Sequence, residues 1–349
     1  MALIKIIMRD LFDENNHKNR IVMETPKMML KSRRPPLPST QLIESLIANK
    51  KPLNPHPTYS RSNSIRSLKT SVPKTSRSPS ETRKFLINSS IPIISASNWC
   101  VVEGNTGRVL HGFKDIEVKE IASLTKIMTC WVCIKIIERG LCSLEDKVRI
   151  SAKASKQTGT SADLKEGQSI GVLDLLYGLM LPSGNDAAWA LAEHFGAALN
   201  PLTSKPLKQF ICEMNKYARI MNLYTTYYAN PHGLVFKKNV SCARDVCKLS
   251  CISLKDPIFR RIVSTKVHNA EITNVNGLTN KVTWENTNKL LVKGFEGIKT
   301  GVTDNAGPCL ATAVRGKMYI VITLLNSKSM EARWDEAQSV ANWIMNSCE

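Results

Sequence analysis

A serine and a lysine stand three residues apart in Ala122-Ser123-Leu124-Thr125-Lys126, where an apolar helical run begins. Positions i and i+3 share one face of a helix, so Lys126 can reach Ser123. A serine hydroxyl is a poor nucleophile until a base sits beside it, and this pairing supplies one. The spacing alone is cheap, because Ser71-Val72-Pro73-Lys74 repeats it in a stretch whose composition opposes folding. Two later motifs raise its weight: Pro182-Ser183-Gly184-Asn185 in a loop between predicted helices, and Lys299-Thr300-Gly301 on a predicted strand. Taken singly, Ser183 or Asn185 reads as a helix N-cap, and Lys-Thr-Gly as a strand end with a glycine bulge. All three in this order are much harder to reach by coincidence.

These residues need a scaffold, and the chain supplies one only after its first ninety residues. Residues 1–90 hold 17 Lys and Arg against 6 Asp and Glu, which accounts for most of the formal charge of +19. Between Pro26 and Pro79 lie nine of the sixteen prolines with many Ser and Thr. Such a segment cannot bury enough apolar surface to offset its ordering entropy, so 1–90 is expected to be a disordered basic extension and 91–349 the folded domain. The Pro26–Pro79 segment has no aromatic interleaving beyond Tyr59, which makes it a poor nucleic-acid binder, and no nucleic-acid partner is expected.

Within the folded part, Ser97–Val102 and Arg108–Gly112 read as strands around a Gly104-Asn105-Thr106-Gly107 turn. A helix over Ser123–Glu138 is closed by Gly140, with its apolar side at Ile127, Met128, Trp131, Ile134 and Ile137. More helix is expected at 171–180, 185–196, 205–221 and 241–252, which makes the middle mostly helical. After Lys281 the pattern turns to strands at Gly297–Thr303, Cys309–Val314 and Met318–Leu325, then to a helix over Glu331–Met345. Strands at both ends with helices between them predict an α+β fold: one antiparallel sheet made by the two ends of the domain, helices on its faces and a mostly helical insert.

The ten cysteines fall between Cys100 and Cys348. Cys130 and Cys133 form a CxxC, and Cys242, Cys247 and Cys251 cluster in sequence near His232. The CxxC nevertheless lies inside a helical run with no second one at zinc-ribbon spacing, so buried thiols, no metal and a reducing compartment are the expectation. No apolar run approaches a membrane span, and Met1–Met8 is too short for a secretory signal.

With its motifs placed, the chain resembles the D-alanyl-D-alanine carboxypeptidases among the penicillin-recognising serine acyl-transferases. The resemblance rests on Ser123-Leu-Thr-Lys126-Ile-Met-Thr, Ser183-Gly-Asn-Asp-Ala-Ala188, Asn230-Pro-His-Gly-Leu234 and Gly297-Ile-Lys-Thr-Gly-Val-Thr-Asp-Asn-Ala-Gly307, and covers about residues 93–347. It implies a β-lactamase/transpeptidase-like fold and no cofactor. Its substrates would be peptides ending in D-Ala-D-Ala, with β-lactams as covalent inhibitors. It further implies Ser123, Lys126 and Ser183 as catalytic residues, with Asn185, Lys299, Thr300, Gly301, the Val302 amide and Arg333 binding substrate. For Arg333 a surface charge on the last helix is the competing reading; Asp186 reads as a first-turn acid favouring the helix dipole, and His232 as a loop anchor. Class A β-lactamases share the fold and the Ser/Lys pair but need a Glu with an Asn four residues on, whereas Glu193 here is followed by Asn200. A non-catalytic scaffold has no physical need for Ser123, Lys126, Ser183, Asn185 and Lys299 together. The basic lead differs from the export signal that such bacterial enzymes carry, so an intracellular location is favoured and the physiological substrate left open.

Overall fold

A computed structural model describes residues 91–234 and 239–347, so the expected disorder of 1–90 lies outside the described residues. In chain order the strands are β1 (Asn98–Glu103), β2 (Val109–Phe113), β3 (Lys119–Glu120), β4 (Lys147–Arg149), β5 (Ser169–Gly171), β6 (Val240–Ser241), β7 (Val267–Thr273), β8 (Thr279–Glu285), β9 (Phe295–Gly301), β10 (Cys309–Arg315) and β11 (Tyr319–Leu325). The helices are α1 (Thr125–Glu138), α2 (Ala152–Ser155), α3 (Val172–Met180), α4 (Asn185–Leu199), α5 (Pro206–Ile220), α6 (Ala243–Ser253), α7 (Pro257–Ser264) and α8 (Ala332–Asn346).

The main sheet has five strands in the order β2-β1-β11-β10-β9. Its pairs are antiparallel, and β1 is zipped to β11 from Asn98 opposite Leu325 to Glu103 opposite Ile320. Because side chains alternate across a strand, β1 sends Trp99 and Val101 to one core and Cys100 and Val102 to the other. The first core is closed by α8 through Trp334, Ala337, Val340, Ala341 and Ile344. The second is shared with the helical insert, and α1 runs through it.

That position changes the expected character of α1. Ile127, Met128, Trp131 and Ile134 are buried as expected, but so are Lys126, Thr129, Cys130, Cys133 and Ile136, while Ile137 is only half-buried. A helix packed on all sides is a core element rather than an amphipathic surface one. Gly140, at φ +71°, provides the left-handed residue just beyond its end.

One region departs from the mostly helical middle: β7 and β8 form a hairpin that joins β4 and β5 in a second, four-stranded sheet. Along β7 only Ala270 and Ile272 are buried, so the apolar alternation that would announce a strand is thin. Helix α7 begins with Asp256 accepting from the amides of Ile258 and Phe259, a cap followed by Pro257 that the sequence displays openly. The cysteines are unpaired, with Cys100, Cys130, Cys133, Cys242, Cys247, Cys251 and Cys309 buried, Cys142 half-buried and Cys212 exposed; Cys348 lies outside the described residues. Among the described residues, no helix is long and apolar enough to cross a membrane.

Candidate active site

Ser123 lies on a tight turn, Ala122–Leu124, that leads directly into α1. Ala122 holds φ +46°, a left-handed conformation that a residue with a side chain rarely adopts. Two contacts hold it there. The Thr125 hydroxyl donates to the Ala122 carbonyl at 2.8 Å, and Gly233 presses so closely that a Cβ on it would stand 1.9 Å from the Ala122 oxygen. Gly233 belongs to the Asn230-Pro-His-Gly loop, where Asn230 Oδ1 accepts from the His232 and Gly233 amides and Asn239 donates to Thr125.

Lys126 is fully buried, and its Nζ donates to Ser123 Oγ at 2.9 Å, Asn185 Oδ1 at 2.7 Å and the His232 carbonyl at 3.0 Å. Three acceptors around one ammonium fix its direction. Burial first, and the nearby Lys299 ammonium second, push the Lys126 amine well below its ordinary range, against the opposing pull of Asp186. Asn185 spends its other end on the Thr158 carbonyl at 2.6 Å. Its amide is therefore committed within the protein rather than held out toward solvent.

Ser183 sits two residues before Asn185 with φ +66° and a buried hydroxyl that has no hydrogen-bond partner. Its carbonyl accepts from the Thr160 hydroxyl at 2.7 Å, and the Asn185 amide returns the tie to the Thr160 carbonyl at 2.8 Å. The positive φ and the unused buried hydroxyl set Ser183 apart from an ordinary turn residue. Asp186 lies in the first turn of α4 as expected and has a further task. Its carboxylate is buried and accepts from the Ala162 and Leu164 amides and the Ser161 hydroxyl, so it clamps the 161–164 loop as well as starting α4.

On the far side of Ser123 runs β9, an edge strand of the main sheet. A Cβ on Gly301 would lie 3.1 Å from the Ser123 nitrogen, so the Lys-Thr-Gly strand abuts the Ser123 amide. Thr300 shares a 2.8 Å hydroxyl contact with Thr287, a partner without a sequence signal of its own. Lys299 is 2% exposed and donates to the Thr300 carbonyl. Burial, then the charge of Arg333, lower its amine to about 7. Val302, next along the chain, is 48% exposed.

Arg333 is 4% exposed and donates to the carbonyls of Gly301 at 3.3 Å and Cys309 at 3.1 Å. A solvated surface charge is thereby ruled out, since the guanidinium is seated under the end of the Lys-Thr-Gly strand. His232 is buried, accepts from the Leu234 amide through Nδ1 and stacks on Trp189. Burial and the Lys126 charge hold its imidazole down to about 3, so it stays neutral and serves as the loop anchor expected of it. Glu193 accepts from Ser151 and Trp189, which ties it into the base of α4. Thr125, Thr158, Thr160 and Asn239 complete the scaffold; Thr125 lies within the Ser123–Lys126 motif, whereas Thr158, Thr160 and Asn239 belong to no quoted motif.

The site thus joins Ser123, Lys126 and Asn185 by direct bonds, places Gly301 in contact with Ser123, and surrounds them with the fields of Lys299 and Arg333. The profile of the family described as D-alanyl-D-alanine carboxypeptidase matches residues 87–329. A D-alanyl-D-alanine carboxypeptidase from a Streptomyces species is 33% identical over 260 residues, covering 72% of this chain and 88% of that protein. DacD of Salmonella typhimurium, another D-alanyl-D-alanine carboxypeptidase, is 33% identical over 264 residues, which are 72% of this chain but 63% of its own length. Among solved structures, a Streptomyces DD-transpeptidase superposes with a TM-score of 0.68 at 33% identity, over 73% of this chain and 98% of its own. The chain belongs to the D-alanyl-D-alanine carboxypeptidase family of serine peptidases.

Proposed function

We propose that the protein removes the terminal D-alanine from peptides ending in D-Ala-D-Ala, through an acyl-enzyme on Ser123. The observation that carries this is the 2.9 Å bond between a fully buried Lys126 amine and the Ser123 hydroxyl. A lysine acts as a base only when neutral, and burial beside a second cation favours that form.

Ser123 Oγ attacks the carbonyl carbon of the scissile amide while its proton passes to Lys126. Charge developing on the carbonyl oxygen is met by the Ser123 N–H and the Val302 N–H, two backbone donors that need no reorganisation. The C–N bond then breaks, and the departing D-alanine amine takes the proton from Lys126 through Ser183, whose hydroxyl has no other partner. Water, deprotonated along the same path, attacks the ester and restores Ser123. The open edge of β9 offers main-chain groups to an extended peptide, which lines up the amide by strand addition. Lys299 and Thr300 meet the terminal carboxylate, and Arg333 adds positive charge and support from below. Asn185 orients Lys126 and borders the bound amide. β-Lactams acylate the same serine.

The test is incubation with a fluorescent penicillin and mass spectrometry of the adduct. Label on Ser123 that disappears in Ser123→Ala, with release of D-alanine from a D-Ala-D-Ala peptide but little turnover of a cephalosporin, is the expected result. Folded protein that takes no label would refute the reading.

A further inference from the structure

We propose that Cys142, Asp146 and His194 form a binding site for a divalent cation of the zinc class, separate from the serine site. The three donor atoms all lie within 4.8 Å of one another, and His194 Nε2 already stands 3.5 Å from Asp146 Oδ2. A tetrahedral zinc bound to sulfur, nitrogen and oxygen at about 2.0–2.3 Å spaces its ligand atoms roughly 3.3–3.8 Å apart, so closing the site needs a shift of only about one ångström. These side chains are free to make it. His194 is 25% exposed and Asp146 38%, and Cys142 is half-buried, so none of the three side chains is locked into the core.

A second observation points the same way. The His194 Nε2 atom is shut off from solvent yet has no hydrogen-bond partner; the Asp146 oxygen beside it is poorly placed to accept. A polar atom shielded in this way costs free energy unless something occupies it, and a metal ion is the partner an imidazole nitrogen and a thiol can share.

The backbone around the three is fixed. Asp146 is oriented by the Ser143 amide at 3.0 Å, and its own carbonyl accepts from Val172 at the start of α3 at 2.9 Å. Leu144 is tied to Leu173 in the same manner. His194 projects from α4, where the neighbouring Phe195 ring meets it edge-on. Oriented ligands from two rigid elements are what a metal site requires. A set of one thiolate, one imidazole and one carboxylate suits zinc and excludes the all-oxygen preferences of magnesium and calcium. Binding converts the Cys142 thiol to a thiolate and releases its proton to solvent, so affinity rises with pH. The ion would fasten α4, which begins at Asn185, to the turn between α1 and β4.

The experiment uses the full chain stripped of metal and titrated with cobalt(II), whose bond to a thiolate gives a near-ultraviolet charge-transfer band. The band should appear in the wild type and in Cys212→Ser, which lacks the exposed thiol, and vanish in Cys142→Ser. His194→Gln and Asp146→Asn should each weaken cobalt at least roughly tenfold. Zinc should raise the Tm of the wild type and leave that of Cys142→Ser unchanged. A wild type without the band, or a band that survives in Cys142→Ser, overturns the proposal. Should the cysteine variant fail to fold, alkylation of Cys142 in the wild type decides: zinc should slow it, and a rate that zinc leaves unchanged overturns the proposal equally.

Discussion

In the proposed reaction Ser123 supplies the oxygen that forms the bond and Lys126 the base that activates it, so losing the first should end the reaction and losing the second should slow it. Ser123→Ala is expected to abolish penicillin labelling, and Lys126→Ala to slow it by roughly 10²–10⁴, read as acylation rate constants in stopped flow. The two lysines also set the pH profile. Lys126 must be neutral, and its depressed amine meets that need, so kcat/KM for a carboxylate-ended peptide rises as Lys126 loses its proton. Lys299 must be charged to hold that carboxylate, so the same quantity falls again as pH passes about 7. Arg333 is one cause of that low value. Replacing it with leucine should move the alkaline limb to higher pH, a change that loss of the strand support alone would not produce. The roles proposed for Ser123, Lys126 and Lys299 rest on residue type and order, which the sequence displays. The commitment of Asn185 to Lys126 and Thr158 was not legible there, since an amide's partners depend on which distant backbone oxygens the fold brings within reach.

The Asn230-Pro-His-Gly loop illustrates how an element can govern a reaction it does not perform. Gly233 combines φ +90° with a backbone so close that a methyl group would collide with the Ala122 carbonyl. Gly233→Ala is therefore expected to lower Tm by well over the degrees that about 1 kcal/mol represents, and to suppress labelling of Ser123 in whatever folded protein remains. His232 in the same loop is neutral when folded and titrates near 6.5 when unfolded. The unfolded chain thus binds the extra proton first, and the stability this group contributes is present above about pH 6.5 and drains away as pH falls toward 3. Urea titrations across that window should show a shallower acid decline for His232→Gln than for the wild type. The elements most visible in the sequence were those with many buried positions, such as α1, α8 and β9 to β11. The β7–β8 hairpin escaped because it lies largely in solvent, and the four-residue α2 because so short a turn has no period to detect.

At the level of the molecule, the catalytic unit is proposed to be residues 91–349, independent of the basic segment before it. A chain beginning at residue 87, where the family match starts, should fold and take a fluorescent penicillin at the rate of the full chain. Removal of α8 should instead destroy both, because that helix closes one of the two cores and its Arg333 holds the end of β9. The overall architecture followed from the order of strand and helix signals, whereas the second sheet depended on pairings between β4, β5 and β7 that no local pattern announces. The zipper between β1 and β11 has an outcome for biosynthesis. β1 can find its central neighbour only after more than two hundred further residues have been made, so Trp99 and Val101 must be kept from unwanted association in the meantime. Production in a cell should for that reason depend on holdase chaperones far more than the stability of the finished enzyme would suggest.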